Sequence, residues 1–265
     1  MHRPGLGILD RKFREWYYFC ICVQIGEVTM VTIDVMSAQE RKSLETRRKI
    51  LEATERLLAE YDFKYLTVRN ICAEGDVAYG SFYHHFQNKE NLLYIYGKEL
   101  FKANREHCPC PDWISQDNYI SVILWHFVVF GEFCTAMGKQ FIRCIHQEGS
   151  MDLFSETYES VIVPIIRKAH RDGYIKDYEG QNAVENMIKD LRIVYQGIIM
   201  WWCAQPEDKE PLAATMEHLL LHMVSSRRSE KGEEMVTGRL LTDMDYKKDI
   251  HLEHLPGTRK ETHSM

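Results

Sequence analysis

The sequence predicts an all-α protein with two helical domains. Apolar side chains recur at spacings of three and four in successive segments between residues 43 and 226, which is the period of an amphipathic helix. No Gly-rich phosphate loop, internal repeat or low-complexity run interrupts this pattern. The stretch 108–111 contains two prolines, so it ends the preceding helix and marks the border between the domains.

Four helices are predicted in the first domain, residues 37–107. The first runs from about Ser43 to Tyr61, and Ser37 with Glu40 forms a capping pair that can open it. The segment 67–86 predicts two short helices around a tight turn. A longer helix from Asn88 to about Glu106 then links this domain to the rest of the chain.

The two short helices have the pattern of a helix-turn-helix. Three apolar residues at helical spacing mark the first helix, and Gly75 is expected to take a positive φ where that helix stops. The second helix is predicted from about Tyr79 to His84, with Phe82 and Phe86 facing inward. In a helix-turn-helix the second helix lies in the major groove of DNA and the first crosses the phosphate backbone.

An ordered set of residues in this region matches a known pattern: Thr67-Val68-Arg69, Val77, Gly80-Ser81-Phe82-Tyr83-His84, Phe86, Asn88-Lys89-Glu90 and Leu92-Leu93. Between about Thr46 and Leu93 the chain resembles the N-terminal domain of TetR-family transcriptional regulators. Two positions depart from that family. Asp76 stands where the family usually has the turn glycine, and Ala78 replaces the usual Ser or Thr cap, so Asp76 is expected to cap the second helix instead.

The outward residues of this region have chemistry suited to DNA. Thr67 can cap the first helix and reach a phosphate, and the guanidinium of Arg69 suits phosphate or guanine. Tyr79 is placed where a base edge can be read, whereas Gly80 lets the backbone approach the DNA. The predicted DNA contacts are Arg47, Thr67, Arg69, Tyr79, Gly80, Ser81, Tyr83, His84 and Lys89. For Tyr83 the alternative is a buried core aromatic.

Charge supports a reader of specific sites rather than a general nucleic-acid binder. The chain has a formal net charge of −6, which argues against indiscriminate coating of nucleic acid. Basic residues cluster at the start of the first helix: Arg41, Lys42, Arg47, Arg48 and Lys49. For Arg41 and Lys42 a solvated helix end is an equally fair interpretation.

The eight cysteines do not predict a disulfide framework. They are spread along the chain, and no signal peptide of the usual form precedes them, so a reducing cytoplasm is the better expectation. The pair Cys108 and Cys110 has no second pair at the spacing of a zinc site. We therefore expect no metal, no cofactor and no catalytic residues.

The two ends of the chain differ from the rest. Residues 1–36 include an apolar stretch, Trp16 to Ile25, which is too short to span a bilayer. This extension is expected to be a misassigned start, with translation beginning at Met30 or Met36, or to be disordered; the alternative is an arm packed on the body or on a membrane surface. Residues 229–265 are charged and are expected to form a mobile tail.

The second domain, residues 112–228, is predicted to hold helices near 117–136, 139–147, 155–171, 181–204 and 211–226. Ser155 is a natural cap, Gly173 a natural stop, and Pro164 should kink its helix. The helix 181–204 is apolar on two sides, which indicates two packing partners. The resemblance implies a homodimer through the helices near 181–204 and 211–226, the latter with Leu212, Met216, Leu219, Leu220 and Met223. The alternative is a central helix buried in a monomer.

The resemblance further implies that this domain binds a small-molecule effector, which most often releases a repressor from a double-stranded DNA operator. Aromatic and soft side chains on the surrounding helices suit an apolar ligand. The candidates are Trp113, Trp125, His126, Phe130, Cys134, Phe141, Tyr158, Tyr195 and Trp201, of which His126 is preferred because a buried imidazole needs a partner. Most of them could equally be core residues.

Two other functions remain open from the sequence. Cys134, Cys144 and His146 could converge as a metal or thiol-redox sensor, although such residues are more often simply packed. An enzyme is less expected, because no motif orders these residues or His126 as nucleophile and base. No membrane association of the helical body is expected.

Overall fold

The computed structural model describes residues 37–61, 63–115, 117–147, 153–176, 182–206, 211–233, 241–243 and 245–252. The predictions for residues 1–36 lie outside these ranges. Within them the chain is helical, and the extended structure is one isolated antiparallel bridge between Ile175 and Arg228. The all-α prediction is therefore confirmed.

The first helix, α1, spans Ala38–Glu60 and begins five residues before the predicted Ser43. The cause is a capping box at Ser37. Its hydroxyl accepts a hydrogen bond from the Glu40 amide at 3.2 Å, and the Glu40 carboxylate accepts one from the Ser37 amide at 2.8 Å. These bonds to Ser37 lower the pKa of Glu40. The expectation that this pair opens the helix is confirmed.

A helix-turn-helix follows α1. After a 3₁₀ turn at Phe63–Tyr65 come α2, Val68–Glu74, and α3, Tyr79–His85, and each of the two packs against α1 and against the other. The next helix, α4, spans Lys89–His107. The centre of this unit is formed by buried apolar residues that face inward from the three helices and from the C-cap of α3: Ile50, Ile71, Phe82 and Phe86.

The turn between α2 and α3 differs from the prediction. Gly75 has φ −85°, and Asp76 is the residue at positive φ, 48°. A Cβ atom on Gly75 would lie 3.1 Å from the Lys49 carbonyl oxygen and 3.3 Å from the Ala53 Cβ, so close approach of α1 explains this glycine. Aspartate tolerates the left-handed conformation better than most residues. The predicted Asp76 cap is also wrong, because Ala78 is the N-cap of α3 and no described side chain caps it.

Contacts divide the described chain between Ala103 and Asn104, inside α4. The second unit contains α5, Tyr119–Met137, and α6, Lys139–Gln147. The segments Ser155–Thr157, Tyr158–Ile162 and Val163–Arg171 form α7, and α8, Ala183–Ala204, α9, Leu212–Ser226, and α10, Glu230–Glu233, follow. Helix α5 is buried along most of its length and packs against α6, α7 and α9.

Helix α7 departs from regular geometry next to its proline. Pro164 has no amide hydrogen to donate to the previous turn, and the residues immediately before Val163 adopt a π-helical turn. Phe154 is the N-cap of this helix, so the prediction that Ser155 caps it is wrong. Gly173, at φ 79°, ends the helix as expected.

Helices α8 and α9 each have an inner and an outer face. On α8 the outward residues are Ile193, Gly197, Met200 and Trp201, as the two-sided pattern predicted. On α9, Leu212, Met216 and Leu220 are fully buried in their own subunit, so their predicted place at a subunit interface is wrong. Leu219 is 42% exposed, and Ala214, Thr215 and His218 lie on the same outer side of α9.

Residues 241–243 and 245–252 pack within the second unit, which corrects the prediction of a mobile tail for these residues. The buried carboxylate of Glu217 accepts hydrogen bonds from the amides of Leu241 and, at 2.8 Å, Thr242. Tyr246 is buried and its hydroxyl donates to the Glu132 carboxylate; burial first, and then this bond, raises the pKa of Tyr246. The segment is charged, but burial of three apolar residues stabilises its packing: Leu241, Tyr246 and Ile250.

The crossing of α5 and α9 gives a test of the packing. A Cβ atom on Gly131 would lie 2.8 Å from the Ala213 Cα and 2.9 Å from its nitrogen, and backbone cannot move aside as a side chain can. We expect Gly131→Ala to lower the free energy of unfolding by about 1–3 kcal/mol, measured by thermal and urea unfolding. Gly80→Ala is the control, because no described atom lies within 4 Å of its added Cβ. Equal stability of the two variants would contradict the close crossing.

Candidate nucleic-acid interface

Helix α3 has one buried side chain, Phe82, and turns its phenols outward. Tyr79 is 55% exposed and Tyr83 is 48% exposed, so the alternative of Tyr83 as a core aromatic is wrong. Their hydroxyl oxygens are 3.0 Å apart and their rings meet edge to face with centres 5.3 Å apart. The hydrogen bond to Tyr79 raises the pKa of Tyr83, so the Tyr83 phenol stays protonated and can donate to DNA.

Gly80 lies between these tyrosines and is exposed. In the described part of the chain no atom comes within 4 Å of a Cβ built on it, and its φ is not in the left-handed region. The fold of this chain therefore does not itself require a glycine here. Its neighbour Ser81 is half-buried, whereas His84 is exposed on the same helix.

The N-terminus of α2 is closed by a second capping box. The Thr67 hydroxyl accepts a hydrogen bond from the Asn70 amide at 3.2 Å, and the Asn70 side chain accepts one from the Thr67 amide at 2.7 Å. The predicted cap is thus confirmed. Thr67 is exposed and its hydroxyl hydrogen is still available to a phosphate, while Arg69, two residues further on, is also exposed.

Lys89 and Arg47 each contact another side chain of the protein. Asn88 caps α4 by accepting a hydrogen bond from the Asn91 amide at 2.7 Å. The Lys89 ammonium lies 3.7 Å from the Glu90 carboxylate, with 20% of its side chain exposed. Arg47 is half-buried and its guanidinium carbon is 5.2 Å from the centre of the Phe86 ring, a cation–π contact that sequence patterns do not reveal.

The second unit brings some of the nine predicted ligand residues together in an aromatic cluster. Phe127, Phe130, Phe154, Tyr158 and Tyr195 contact one another, and the Phe130 and Phe154 rings stack with centres 4.6 Å apart. The Tyr158 hydroxyl donates to the Ile188 carbonyl, and burial raises the pKa of Tyr158. Three of the five, Phe130, Tyr158 and Tyr195, were predicted ligand residues. Phe127 and Phe154 were not, because helical spacing does not distinguish them from ordinary core residues.

A second group lies around Trp125. Trp125 is buried and its indole nitrogen donates to the Cys108 carbonyl at 3.4 Å. The Trp113 ring meets Trp125 edge to face at 6.2 Å and its indole nitrogen donates to Asp249 at 2.9 Å. Burial, and then the charge of Arg105, lowers the pKa of His126 to about 4, so its imidazole is neutral near pH 7.

The remaining candidates lie elsewhere. Cys134 and Phe141 are buried on α5 and α6. Trp201 is 44% exposed and lies on the outer face of α8, so its predicted place in an internal pocket is wrong. It lines an open, mainly apolar groove of about 870 Å³ between α8 and α9. Gly197, Ile193, His218 and Leu219 also line this groove.

Cys134 and Cys144, the cysteines of the predicted sensor, are buried thiols that are not joined in a disulfide. Among the residues that the structure describes, no three His, Cys, Asp or Glu side chains gather in a group that could hold a metal ion. In the same ranges one helix, α5, is long and apolar enough to cross a membrane, and 67% of its most apolar stretch is buried inside the fold. A buried core helix of this composition passes the same test, so this is weak evidence for a membrane span.

Comparison with known proteins agrees with this geometry. Residues 50–94 match the family model described as bacterial regulatory proteins of the tetR family. None of the curated proteins compared with the chain matches it. The matched segment contains α2, α3 and most of the exposed residues described above.

The chain is similar to proteins of known structure. FadR of Thermus thermophilus, a TetR-family transcriptional repressor in complex with lauroyl-CoA, is 21% identical at a TM-score of 0.52, covering 67% of this chain and 93% of that one. SmeT, the repressor of the Stenotrophomonas maltophilia efflux pump SmeDEF, is 16% identical at a TM-score of 0.46, covering 74% and 96%. The chain thus carries the DNA-binding domain of the TetR family and has the fold of a TetR-family transcriptional regulator.

Proposed function

We propose that this protein is a homodimeric, cytoplasmic repressor that binds a specific DNA operator and is released by a small molecule bound in its second domain. The observation that carries the proposal is the outer surface of α3, where two phenols and a bare glycine face solvent. An exposed surface of this kind on a short helix is suited to contact with DNA, which favours a transcriptional regulator over an enzyme.

The DNA contacts divide into positioning and reading. Thr67, Ser81, Tyr83 and Lys89 have hydroxyl or ammonium donors suited to phosphates, which fix register without reading sequence. Tyr79 is the most exposed side chain of the first turn of α3, where major-groove readers contact base edges. Gly80 supports this assignment, because a Cβ there would lie more than 4 Å from every described residue except its neighbours in the helix and would instead stand between α3 and the DNA.

The groove between α8 and α9 supports dimerisation. Ile193, Met200, Trp201 and Leu219 are large apolar residues between 42% and 57% exposed on one side of the helix pair. A contiguous apolar surface of this kind is unusual on a monomer and typical of a subunit interface. A second copy placing its own helix pair on this face would bury it in a four-helix arrangement with two-fold symmetry.

The effector site is proposed around Trp125 and His126, next to the aromatic cluster. FadR was solved with an acyl-CoA, and a site lined by aromatic rings likewise suits an apolar ligand. A neutral His126 can give or accept one hydrogen bond without the cost of burying a charge. Helix α4 continues from the DNA-binding unit into this unit, so a ligand that prefers one tilt of α4 would change the spacing of two recognition helices.

The assignment of DNA contacts predicts two different effects. Tyr83→Phe and Gly80→Ala should weaken binding to every sequence, and Lys89→Ala should also reduce the salt dependence by about one phosphate contact. Tyr79→Ala should change which bases are preferred. Fluorescence anisotropy across salt concentrations and selection from random DNA measure the two effects. Tyr61→Phe, exposed at the end of α1, is the matched control, and an unchanged operator for Tyr79→Ala would show that Tyr79 does not read bases.

The dimer predicts a selective effect at Gly197. No described atom lies within 4 Å of a Cβ built there, so Gly197→Arg fits one subunit while placing a charged side chain in the groove. We expect a folded monomer by sedimentation velocity and the loss of tight operator binding, since each subunit reads one half-site. Ser160→Arg adds the same side chain to the exposed side of α7 and should remain dimeric. A dimeric Gly197→Arg variant would place the interface elsewhere.

The effector site predicts that sensing and DNA binding can be separated. Trp125→Phe and His126→Gln should abolish the effect of an inducing ligand on operator binding, while the affinity of the unliganded protein for DNA stays within a few-fold. Lauroyl-CoA and a panel of apolar aromatic compounds are suitable probes, followed by anisotropy of labelled operator and by Trp fluorescence. If both variants respond to an identified inducer like the parent protein, the site lies elsewhere in the second domain.

A further inference from the structure

A histidine pair stands on the outer face of α9. His218 and His222 are one helical turn apart, both are exposed, and their ring centres are 4.7 Å apart with planes at 82°. Side chains four residues apart lie on one side of a helix, so the two imidazoles point the same way. The pair is outside the candidate effector site and the DNA-binding residues, and neither role uses it.

The spacing of the rings suits a shared metal ion. Two imidazoles bound to one tetrahedral ion at about 2.0–2.1 Å bring their ring centres to roughly 5 Å from each other. Neutral imidazole is a favoured ligand of Zn²⁺ and of the neighbouring divalent ions Ni²⁺ and Cu²⁺, and two histidines at this helical spacing are a known zinc-binding arrangement. One subunit offers only half of a tetrahedral site, since among the described residues no third ligand joins the pair.

The missing ligands have an identifiable source. His218 lines the groove between α8 and α9, together with the exposed Trp201 and Leu219. In an isologous interface the same patch of both subunits meets across the two-fold axis. A second copy that covers this groove brings its own His218 to the same interface, with His222 one turn along the helix. A two-fold axis that passes beside this pair would let four imidazoles complete a tetrahedral set.

We propose that His218 and His222 of two copies bind one Zn²⁺-class divalent ion across the subunit interface. The proposal rests on the homodimer of the proposed function. Because the dimer presents four ligands and the monomer two, the ion favours the dimer by mass action. A loss of metal then weakens subunit association and, through it, the paired contacts with an operator.

The full chain, stripped with EDTA and dialysed, tests the site. Titration with Zn²⁺ by calorimetry should give about one ion per two chains, and Co²⁺ should give the visible absorption of a tetrahedral site without a thiolate charge-transfer band. Sedimentation velocity across protein concentrations should show tighter dimers with Zn²⁺ than with EDTA. His218→Asn and His222→Asn should each lose saturable binding and the Zn²⁺ effect on association, whereas His170→Asn, on α7, should keep both.

The outcomes separate this site from the dimer itself. A protein that is dimeric in EDTA but binds no Zn²⁺ overturns the metal site and leaves the proposed function standing. A protein that is monomeric with and without Zn²⁺ overturns both the dimer and the bridging site. Binding of one ion per chain, or binding that survives both histidine variants or shows the thiolate band, overturns the bridging site in favour of a different one.

Discussion

The contact of Gly75 with α1 sets the direction of the DNA-binding surface. The Lys49 carbonyl oxygen and the Ala53 methyl lie only 3.1 and 3.3 Å from where a Cβ would lie, so any larger residue at the end of α2 would require α1 to move. Asp76 adopts the positive φ of the turn, and α3 begins after it with Phe82 facing inward. Tyr79 and Tyr83 therefore point outward, because the side of the helix opposite its buried residue is exposed to solvent.

Helix α9 of the second unit likewise has an inner face fixed by close contacts and an exposed outer face. Its inner face meets α5 so closely that Gly131 cannot hold a side chain, and its buried Glu217 holds the amides of the chain's late segment. Its outer face is left with small, apolar and imidazole side chains. A helix with so many fixed neighbours on one side is a rigid base for contacts on the other, which suits both a subunit interface and a metal pair.

The sequence predicted much of what short-range rules determine. The capping pair of Ser37 with Glu40, the cap at Thr67 and the stop at Gly173 depend on neighbouring residues, and all three were predicted. Two short-range predictions, the caps at Asp76 and Ser155, were wrong. Other wrong predictions depended on packing partners distant in sequence. The glycine at position 75 is explained by its close contact with α1. The late segment was predicted to be mobile because it is rich in charged residues, but its few apolar side chains are buried.

Orientation was the other limit of the sequence. A helix apolar on two sides does not say which side meets its own core, so Trp201 was assigned to an inner pocket and Leu212, Met216 and Leu220 to a subunit interface. The predicted DNA contacts were better defined, because the two inward phenylalanines of that region leave one exposed side. Arg47 shows the remaining difficulty, since charge alone did not reveal its contact with Phe86.

The hydrogen bonds of the late segment also bear on the order in which the protein folds. The Asn104 side chain donates to the His251 carbonyl at 3.0 Å, and the His251 amide donates to the Cys108 sulfur at 3.3 Å. They join the first residues of the second unit to its last, so these bonds can form only after nearly the whole chain has been synthesised. The helix-turn-helix, whose contacts are local, can form during synthesis well before its partner domain is complete.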